Sequence, residues 1–203
     1  MIKLPTTEQI DAASAAFESY FNAVGKVVHA WNHLHEELGK LFCHVAGINE
    51  GLGMATWHSS TNDKAQRLML EAAITERSHD PDWSDDHPGA EKGIRWILHK
   101  ANDMGEKRNT AIHAPCSIIA GEQELEIFAY SFSQNPRAKK LRGKDILAEF
   151  DWYERSADAL RRHVRDAQMA LWDAHVPWPD KPRMPVLELG PARKERSRQS
   201  AAK

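Results

Sequence analysis

Apolar side chains recur at steps of three and four residues through the first fifty positions of the chain. This spacing places them on one face of an α-helix, and a helix over 15–46 would extend for roughly 48 Å at about 1.5 Å per residue. Gly47, Gly51 and Gly53 follow it, and glycine readily accepts the left-handed conformation that closes a helix. A helix of this length favours a helical bundle. Its apolar positions are Phe17, Tyr20, Phe21, Val24, Val27, Val28, Trp31, Leu34, Leu38, Leu41, Phe42 and Val45.

Three more helices are predicted from the same spacing and from capping residues. The third helix of the chain must end before Pro115, because proline disfavours helical geometry in the residue that precedes it. Asp145 is positioned to cap the fourth helix. The predicted spans are 60–79, 90–114 and 145–175, and the apolar face of the first of these is assigned to Ala65, Leu68, Met69, Ala72 and Ala73.

The remaining segments break the helical pattern. Between 116 and 132 the apolar side chains alternate, which predicts a small β-hairpin. Residues 79–89, rich in aspartate and proline, and residues 134–144, rich in lysine and arginine, are interpreted as loops. The expected fold class for 1–175 is therefore mainly α, an up-and-down four-helix-type bundle with a small inserted β-hairpin at about 116–132.

The composition is that of a soluble globular chain, with 203 residues, 27 Lys and Arg against 29 Asp and Glu, and 41% apolar side chains. A chain of this length removes roughly 70% of its unfolded surface from water, so it needs no disulfide or structural metal to fold. Cys43 and Cys116 are therefore interpreted as reduced thiols, as is usual in the cytoplasm. Since neither a signal peptide nor a run of ~20 apolar residues is present, we expect a cytoplasmic protein without a membrane partner.

The carboxyl-terminal stretch differs from the rest in charge. Residues 176–203 carry seven basic and three acidic side chains together with five prolines. Such a composition buries too little apolar surface to offset the entropy that is lost on ordering. We therefore expect 176–203 to form a flexible, Pro-rich basic tail.

One charged residue lies on the apolar face of the third predicted helix. At 100° per residue, position 108 is in line with Ile97, Ala101 and Met104, yet it is an arginine. An unpaired guanidinium inside a bundle costs several kcal/mol. Arg108 must therefore reach solvent, pair with an acidic side chain, or line a wet cavity or an interface.

Asn109 and His113 are neighbours beside Arg108, because residues four apart share a helix flank. The string RNTAIH, residues 108–113 at a helix end just before a proline, resembles the signature of the HEPN superfamily. Members are compact helical bundles that pair as dimers, and many are metal-independent endoribonucleases of toxin–antitoxin, phage-defence and RNA-processing systems. The resemblance extends to the long first helix and to the late position of the motif, but not to the hairpin or the tail.

The resemblance implies catalytic roles for Arg108, Asn109 and His113. The neighbouring 2′-hydroxyl of RNA would attack the phosphate, so neither a metal nor another cofactor is predicted. His113 would transfer protons, Arg108 would bind the equatorial phosphate oxygens, and Asn109 would orient His113 or the phosphate. A two-fold homodimer would bring two such sets to a common groove, and the products would end in 2′,3′-cyclic phosphate.

Basic residues outside the motif are candidate RNA contacts. They lie in the predicted loop 134–144, and contacts of this kind to phosphate weaken with salt. The same charges would equally serve solubility. The candidates are Arg137, Lys139, Lys140 and Arg142.

A non-catalytic function stays open on the sequence. A helical module could bind a protein partner such as an antitoxin, or a nucleotide, through the same groove. In that case Arg108 reaches solvent or pairs with Glu106, and His113 stabilises the carboxyl end of its helix, where a cation is favoured.

The other histidines of the first helix allow a metal-dependent alternative. His29 and His33 are four residues apart, with Glu36 about one turn further on, a spacing that is compatible with a metal site. They lie opposite the apolar face, which favours a solvated polar surface instead. His35 falls on the apolar face and is interpreted as a core histidine, or as a residue of the groove that contains Arg108.

Overall fold

The computed structural model of this chain describes residues 6–114, 116–120, 125–129, 135–141 and 144–187. Within these residues the chain is mainly helical, which confirms the predicted α class. It divides into two compact units. The first unit contains Lys107–Tyr153 and the chain up to Val27, and the second unit contains Val28–Glu106 and Glu154–Pro185.

The four long helices overlap the predicted spans. Helix α1 begins earlier than expected, and α7 starts directly after Asp145, whose side chain accepts the Ala148 N–H at 3.0 Å as the capping prediction requires. In chain order the elements are α1 (Thr7–Ala46), α2 (Glu50–His58), α3 (Asp63–Arg77), α4 (Pro81–Asp86), α5 (Ala90–Ile112), β1 (Cys116–Ala120), β2 (Leu125–Ala129), α6 (Pro136–Leu141) and α7 (Ile146–Trp172).

Three short helices lie where the sequence predicted loops or turns. The prediction of an uninterrupted loop over 79–89 is wrong, because Asp80 accepts the Trp83 N–H and initiates α4. The predicted basic loop 134–144 contains α6, which Asn135 begins by accepting the backbone N–H of Arg137 at 2.9 Å. Helix α2 begins in the same way after Asn49. These helices are too short to show an apolar period, so only their capping residues could have predicted them.

The two strands pair in the segment where alternation was observed. They are antiparallel, with Cys116 opposite Ala129 and Ala120 opposite Leu125. Residues 121–124, which connect them, and 130–134, the end of the predicted strand segment, lie outside the described residues. Cys43 is a buried free thiol, and the backbone of Cys116 belongs to β1.

The core of the second unit brings together α1, α3, α5 and α7. Its largest fully buried side chains include Trp57, Leu34, Ile74, Ile94 and Leu160. The core residues of this unit are Ala30, Trp31, Leu34, Leu38, Leu41, Phe42, Cys43, Val45, Trp57, Leu70, Ile74, Trp83, Ala90, Ile94, Ile97, Leu98, Ala101, Met104, Ala157, Leu160, Val164 and Ala167.

The buried face of α3 is not the one that the sequence predicted. Gln66 and Arg67 lie on it with Leu70 and Ile74, whereas Leu68 of the predicted face is 52% exposed. Because these two inner residues are polar, the apolar pattern in the sequence pointed to a face that is displaced by about one residue from the buried one. Their burial requires polar partners inside the unit, which are described below.

The first unit has a smaller core. Val27 of α1 packs with Phe150 and Tyr153 of α7, and Ala111 packs with Ala138 of α6. Phe17 and Phe21 were predicted to lie in the core, but they are 39% and 63% exposed. The apolar face of α1 is therefore only partly covered in this unit.

Part of the predicted tail packs against the helices of the second unit. Trp178 lies against Gly93 on α5, in the space that a side chain at this position would occupy, and Met184 packs against the main core. The prediction of a flexible stretch from 176 onward therefore differs from the structure as far as 185, because one tryptophan supplies the apolar area that composition alone did not suggest. Residues 188–203 lie outside the described residues.

Replacing Gly93 by alanine is expected to displace this segment. The new methyl group would collide with the Trp178 indole, a large rigid ring that would have to move. Overpacking of this kind costs about 1–3 kcal/mol, so thermal unfolding should shift to lower temperature and cleavage after Arg183 by trypsin should accelerate. The matched control is Gly25→Ala, because no atom lies within 4 Å of the added methyl group and the helix propensity improves by up to about 1 kcal/mol. Equal stability of the two variants would contradict the packing described here.

None of the helices, over the residues that the structure describes, is long and apolar enough to cross a membrane.

Candidate functional site

The three predicted catalytic residues lie at the carboxyl end of α5. Arg108 and Asn109 lie among its last five residues, and His113 directly follows the helix, with its backbone N–H donating to the Asn109 carbonyl at 3.2 Å. Arg108 is half-buried, while Asn109 and His113 are exposed. The structure therefore brings the three residues to one helix end, and all three belong to the first unit.

The position of Arg108 follows from the way α5 is buried. Ile97, Ala101 and Met104 are buried as predicted, but within the part of α5 that belongs to the first unit the fully buried residue is Ala111, three positions after Arg108. Residues three apart lie near the same face of a helix, so the arginine sits at the edge of the apolar face rather than at its centre. This edge position leaves the side chain half-buried, with its Nε shielded from solvent.

The end of α5 and the cationic helix α6 share one small core. Ala111 and Ala114 are 0% and 4% exposed and pack in the same cluster as Ala138 and Leu141 of α6. The intervening residues of α6 are exposed and basic, namely Arg137, Lys139 and Lys140. The fourth candidate RNA contact, Arg142, lies outside the described residues.

A buried acid and a buried phenol strengthen the same unit. The Glu149 carboxylate, 3% exposed, accepts the Tyr153 hydroxyl at 3.0 Å and lies 3.0 Å from the Lys144 ammonium group. Burial raises the pKa of Tyr153, and the negative charge of Glu149 raises it further. Tyr153 therefore stays a hydrogen-bond donor across the physiological pH range and fixes the first turns of α7.

A second polar cluster, in the second unit, was not predicted as a site. The Arg67 guanidinium, 7% exposed, donates from Nε to Asn102 Oδ1 at 2.7 Å, and its Nη1 lies 2.9 Å from His35 Nε2. His35 Nδ1 lies 3.1 Å from Gln66 Oε1, and Gln66 donates to the carbonyl of Trp57 at 3.1 Å. We call these four side chains, Arg67, Asn102, His35 and Gln66, the buried polar network, of which Asn102 is the exposed end.

The buried polar network determines which nitrogen of His35 carries the proton. Since a guanidinium can only donate, His35 Nε2 must accept, and Nδ1 therefore carries the proton that it donates to Gln66. The neutral form of the imidazole is held in this way. Of the two interpretations of His35, the core histidine agrees with these contacts, and Arg108 belongs to the other unit.

Gly105 provides the room for this network. A side chain there would meet the Trp31 ring at 3.1 Å and Arg67 Nη2 at 3.3 Å, and the Arg67 Cζ lies 5.7 Å from the centroid of the Trp31 ring. The atoms that approach Gly105 most closely therefore belong to side chains. In the sequence, a glutamine at position 66 and an arginine at position 67, in register with Leu70 and Ile74, were the available signal.

The histidines of the metal-dependent alternative lie on the surface. The rings of His29 and His33 are 4.0 Å apart, both side chains are exposed, and Glu36 lies 3.4 Å from His58. Over the described part of the chain, no group of three or more His, Cys, Asp or Glu side chains has the geometry to hold a metal ion.

One further histidine is buried without a hydrogen bond to its Nε2 from the described residues. His163 is 3% exposed, and its ring packs edge to face against Trp96 at 5.3 Å. Burial lowers the pKa of His163 from its ordinary value of 6.5, although the Asp166 charge acts in the opposite direction. The folded protein therefore holds this imidazole neutral.

This burial predicts a loss of stability in acid. Below pH 6.5 the unfolded chain binds a proton on His163, whereas the folded chain does not bind it until the pH approaches the lowered pKa. The free energy of unfolding therefore falls as the pH decreases from 6.5 toward that pKa. In His163→Phe the slope of this dependence should decrease by up to about 1.4 kcal/mol per pH unit. Urea unfolding between pH 7.5 and 5 measures it. An unchanged slope would contradict a neutral His163, and the residual slope is assigned to His44, whose pKa burial also lowers.

Comparisons of this chain with protein-family models, with curated proteins and with solved structures found no match.

Proposed function

We propose that this chain is a metal-independent endoribonuclease with a HEPN-like four-helix-type bundle that includes the strand pair as a β-hairpin. The observation that carries the proposal is the end of α5, where Arg108, Asn109 and His113 lie together on a core shared with the cationic helix α6. An arginine, an amide and an exposed imidazole supply the groups that cleavage by a 2′-hydroxyl requires.

The chemistry follows from RNA itself. The 2′-oxygen forms a bond to phosphorus, the bond to the 5′-oxygen of the next nucleotide breaks, and a 2′,3′-cyclic phosphate results. His113 accepts the proton of the 2′-hydroxyl or returns a proton to the leaving oxygen. The Arg108 guanidinium stabilises the charge that develops on the equatorial phosphate oxygens, and Asn109 orients the phosphate or the imidazole. Arg137, Lys139 and Lys140 contact the RNA backbone, and Arg142 extends this set.

Two histidines serve such a reaction better than one, because one can accept a proton while the other donates. A two-fold homodimer supplies the second His113. The exposed apolar side chains of α1 in the first unit support such a contact, since Ile10, Phe17 and Phe21 are 55%, 39% and 63% exposed and the two phenylalanine rings stack at 5.8 Å. Their spacing of seven and four residues places them on one face of the helix. A protein antitoxin bound in the cytoplasm would complete the biological setting.

The experiment is cleavage of a set of single-stranded RNAs by the purified chain in excess EDTA. We expect cleavage to persist, and the 5′ fragments to end in cyclic phosphate that acid converts to monophosphate. Complete absence of cleavage of every RNA, by a folded protein, would contradict the proposal. If a partner protein or a nucleotide then raised the melting temperature, the function would be that of a non-catalytic helical binding module.

A further inference from the structure

A cleft of about 540 Å³ lies in the second unit between the carboxyl-terminal half of α1 and the last three turns of α7. Its volume is in the range of pockets that hold small organic ligands, about 300–1,000 Å³. Lys40 and His44 line it from α1, and Arg162, Arg165 and Trp172 line it from α7. None of these residues has a role in the proposed cleavage reaction.

Trp172 presents an aromatic surface to solvent. Its side chain is 77% exposed, and its ring contacts His44 edge to face at 6.0 Å. This packing against His44 restrains the indole while most of its surface stays in water. An exposed, restrained indole is suited to stacking with a planar aromatic ligand, since every nucleobase offers such a plane.

Positive charge lies beside this aromatic surface. Arg162 is exposed and has no ion-pair partner within the described chain, and the Arg165 side chain is 61% exposed. Arg165 and Trp172 are two helical turns apart on the same face of α7, about 10.5 Å along the axis. The long arginine side chain covers the distance between a base and the phosphate of the same nucleotide.

The acidic residue of the cleft is already neutralised. The Glu37 side chain is only 13% exposed, its Oε1 lies 3.5 Å from the Lys40 ammonium and 4.0 Å from Arg165 Nε, and its Oε2 accepts from Gln168 Nε2 at 3.1 Å. Asp166 is the remaining acid at the cleft, and its charge acts on His163 inside the unit. Arg162 therefore stays available to an anion, and the ion pair that Arg165 makes with Glu37 is long, at 4.0 Å.

We propose that this cleft binds a nucleotide, with the base stacked on Trp172 and the phosphate held by Arg162 and Arg165. The nucleotide is either free or one unit of a single-stranded RNA, since both present the same aromatic plane and the same anionic group. The proposal is independent of cleavage, because it concerns other residues and a second unit.

The test is equilibrium binding to the full chain of three probes: AMP, inorganic phosphate, and a fluorescent 2′-O-methyl oligoadenylate of twelve nucleotides. The modified oligonucleotide lacks the 2′-hydroxyl nucleophile, so failure of the cleavage proposal leaves this measurement intact. We expect Trp172→Ala to weaken oligonucleotide binding about tenfold or more and Trp172→Phe to weaken it less. Because Trp172 is so exposed, the alanine variant should remain folded, which circular dichroism verifies.

The contribution of Arg162 and Arg165 is tested by removing their charges and measuring how binding depends on salt. Arg162→Gln with Arg165→Gln should lower the slope of log affinity against log salt by about 1.4 for a single strand. Arg161→Gln removes one positive charge at the neighbouring position, outside the cleft, and should bind as the wild type does. Competition by AMP would indicate a free nucleotide as ligand, and binding of the oligonucleotide alone would indicate RNA. Unchanged binding by Trp172→Ala, or competition by inorganic phosphate as strong as that by AMP, would overturn the proposal.

Discussion

Replacing His113 by alanine is expected to lower the rate of RNA cleavage by about 10²- to 10⁴-fold, the range of a lost general acid or base. The side chain is exposed at the end of α5, so its removal leaves no buried polar group behind and the melting temperature should stay close to that of the wild type. Single-turnover cleavage of a labelled RNA in EDTA measures the loss. His99→Ala is the matched control, because His99 is an exposed histidine of the same helix that carries no role in the reaction.

Substitution of Arg108 tests the proposed cleavage reaction independently of His113. A guanidinium binds phosphate oxygens through a planar fork of donors, which an ammonium group does not reproduce. We therefore expect Arg108→Lys to remain nearly as impaired as Arg108→Ala, with both variants folded. Wild-type rates in His113→Ala, or full restoration by lysine at 108, would refute the assignment of these residues.

The prediction of a homodimer can be tested separately from the prediction of the catalytic residues. Phe21→Glu places a charge on the exposed apolar face of α1, where a second copy would have to desolvate it. We expect a lower mass in sedimentation and a lower cleavage rate that recovers as the protein concentration rises. A dimer of unchanged affinity would show that this face is not the contact, while the His113 prediction would stand.

The second large effect is expected in the buried polar network. Arg67→Ala removes the donor for both His35 and Asn102 and opens a space beside Trp31 and Gly105. Leaving the buried His35 acceptor without its donor costs about 1–3 kcal/mol, and the lost packing of the arginine side chain adds to this, so the free energy of unfolding should fall by that amount or more. Urea denaturation at pH 7.5 measures the change.

A surface arginine provides the control for this prediction. Arg95 is half-exposed and pairs with Glu91 at 2.9 Å, so Arg95→Ala should change the free energy of unfolding by less than about 1 kcal/mol. Arg67→Met with His35→Phe removes the polar groups together and should recover part of the loss, because neither polar partner of this pair then remains buried. A loss below about 1 kcal/mol in Arg67→Ala would show that the network does not stabilise the second unit.

The sequence predicted the long helices well because their periodicity is repeated over many turns. In α5 the buried positions Ile97, Ala101 and Met104 and the end of the helix at Ile112 agreed with the prediction, and Asp145 capped α7 as expected. The short helices were missed because six to nine residues show no period, although Asn49, Asp80 and Asn135 were capping signals. The candidate site was predictable in part, since residues of one helix end must lie together.

The sequence by itself determined the helical class, the approximate positions of α1, α3, α5 and α7, and the grouping of Arg108, Asn109 and His113, because each follows from spacing along one helix. Only the tertiary structure decided which face of α3 is buried, that Trp178 covers Gly93, and that α6 shares a core with the end of α5. Those facts depend on contacts between residues far apart in the chain. A polar side chain such as Arg67 can be buried once its partners on other helices are in place, and local spacing does not contain that information.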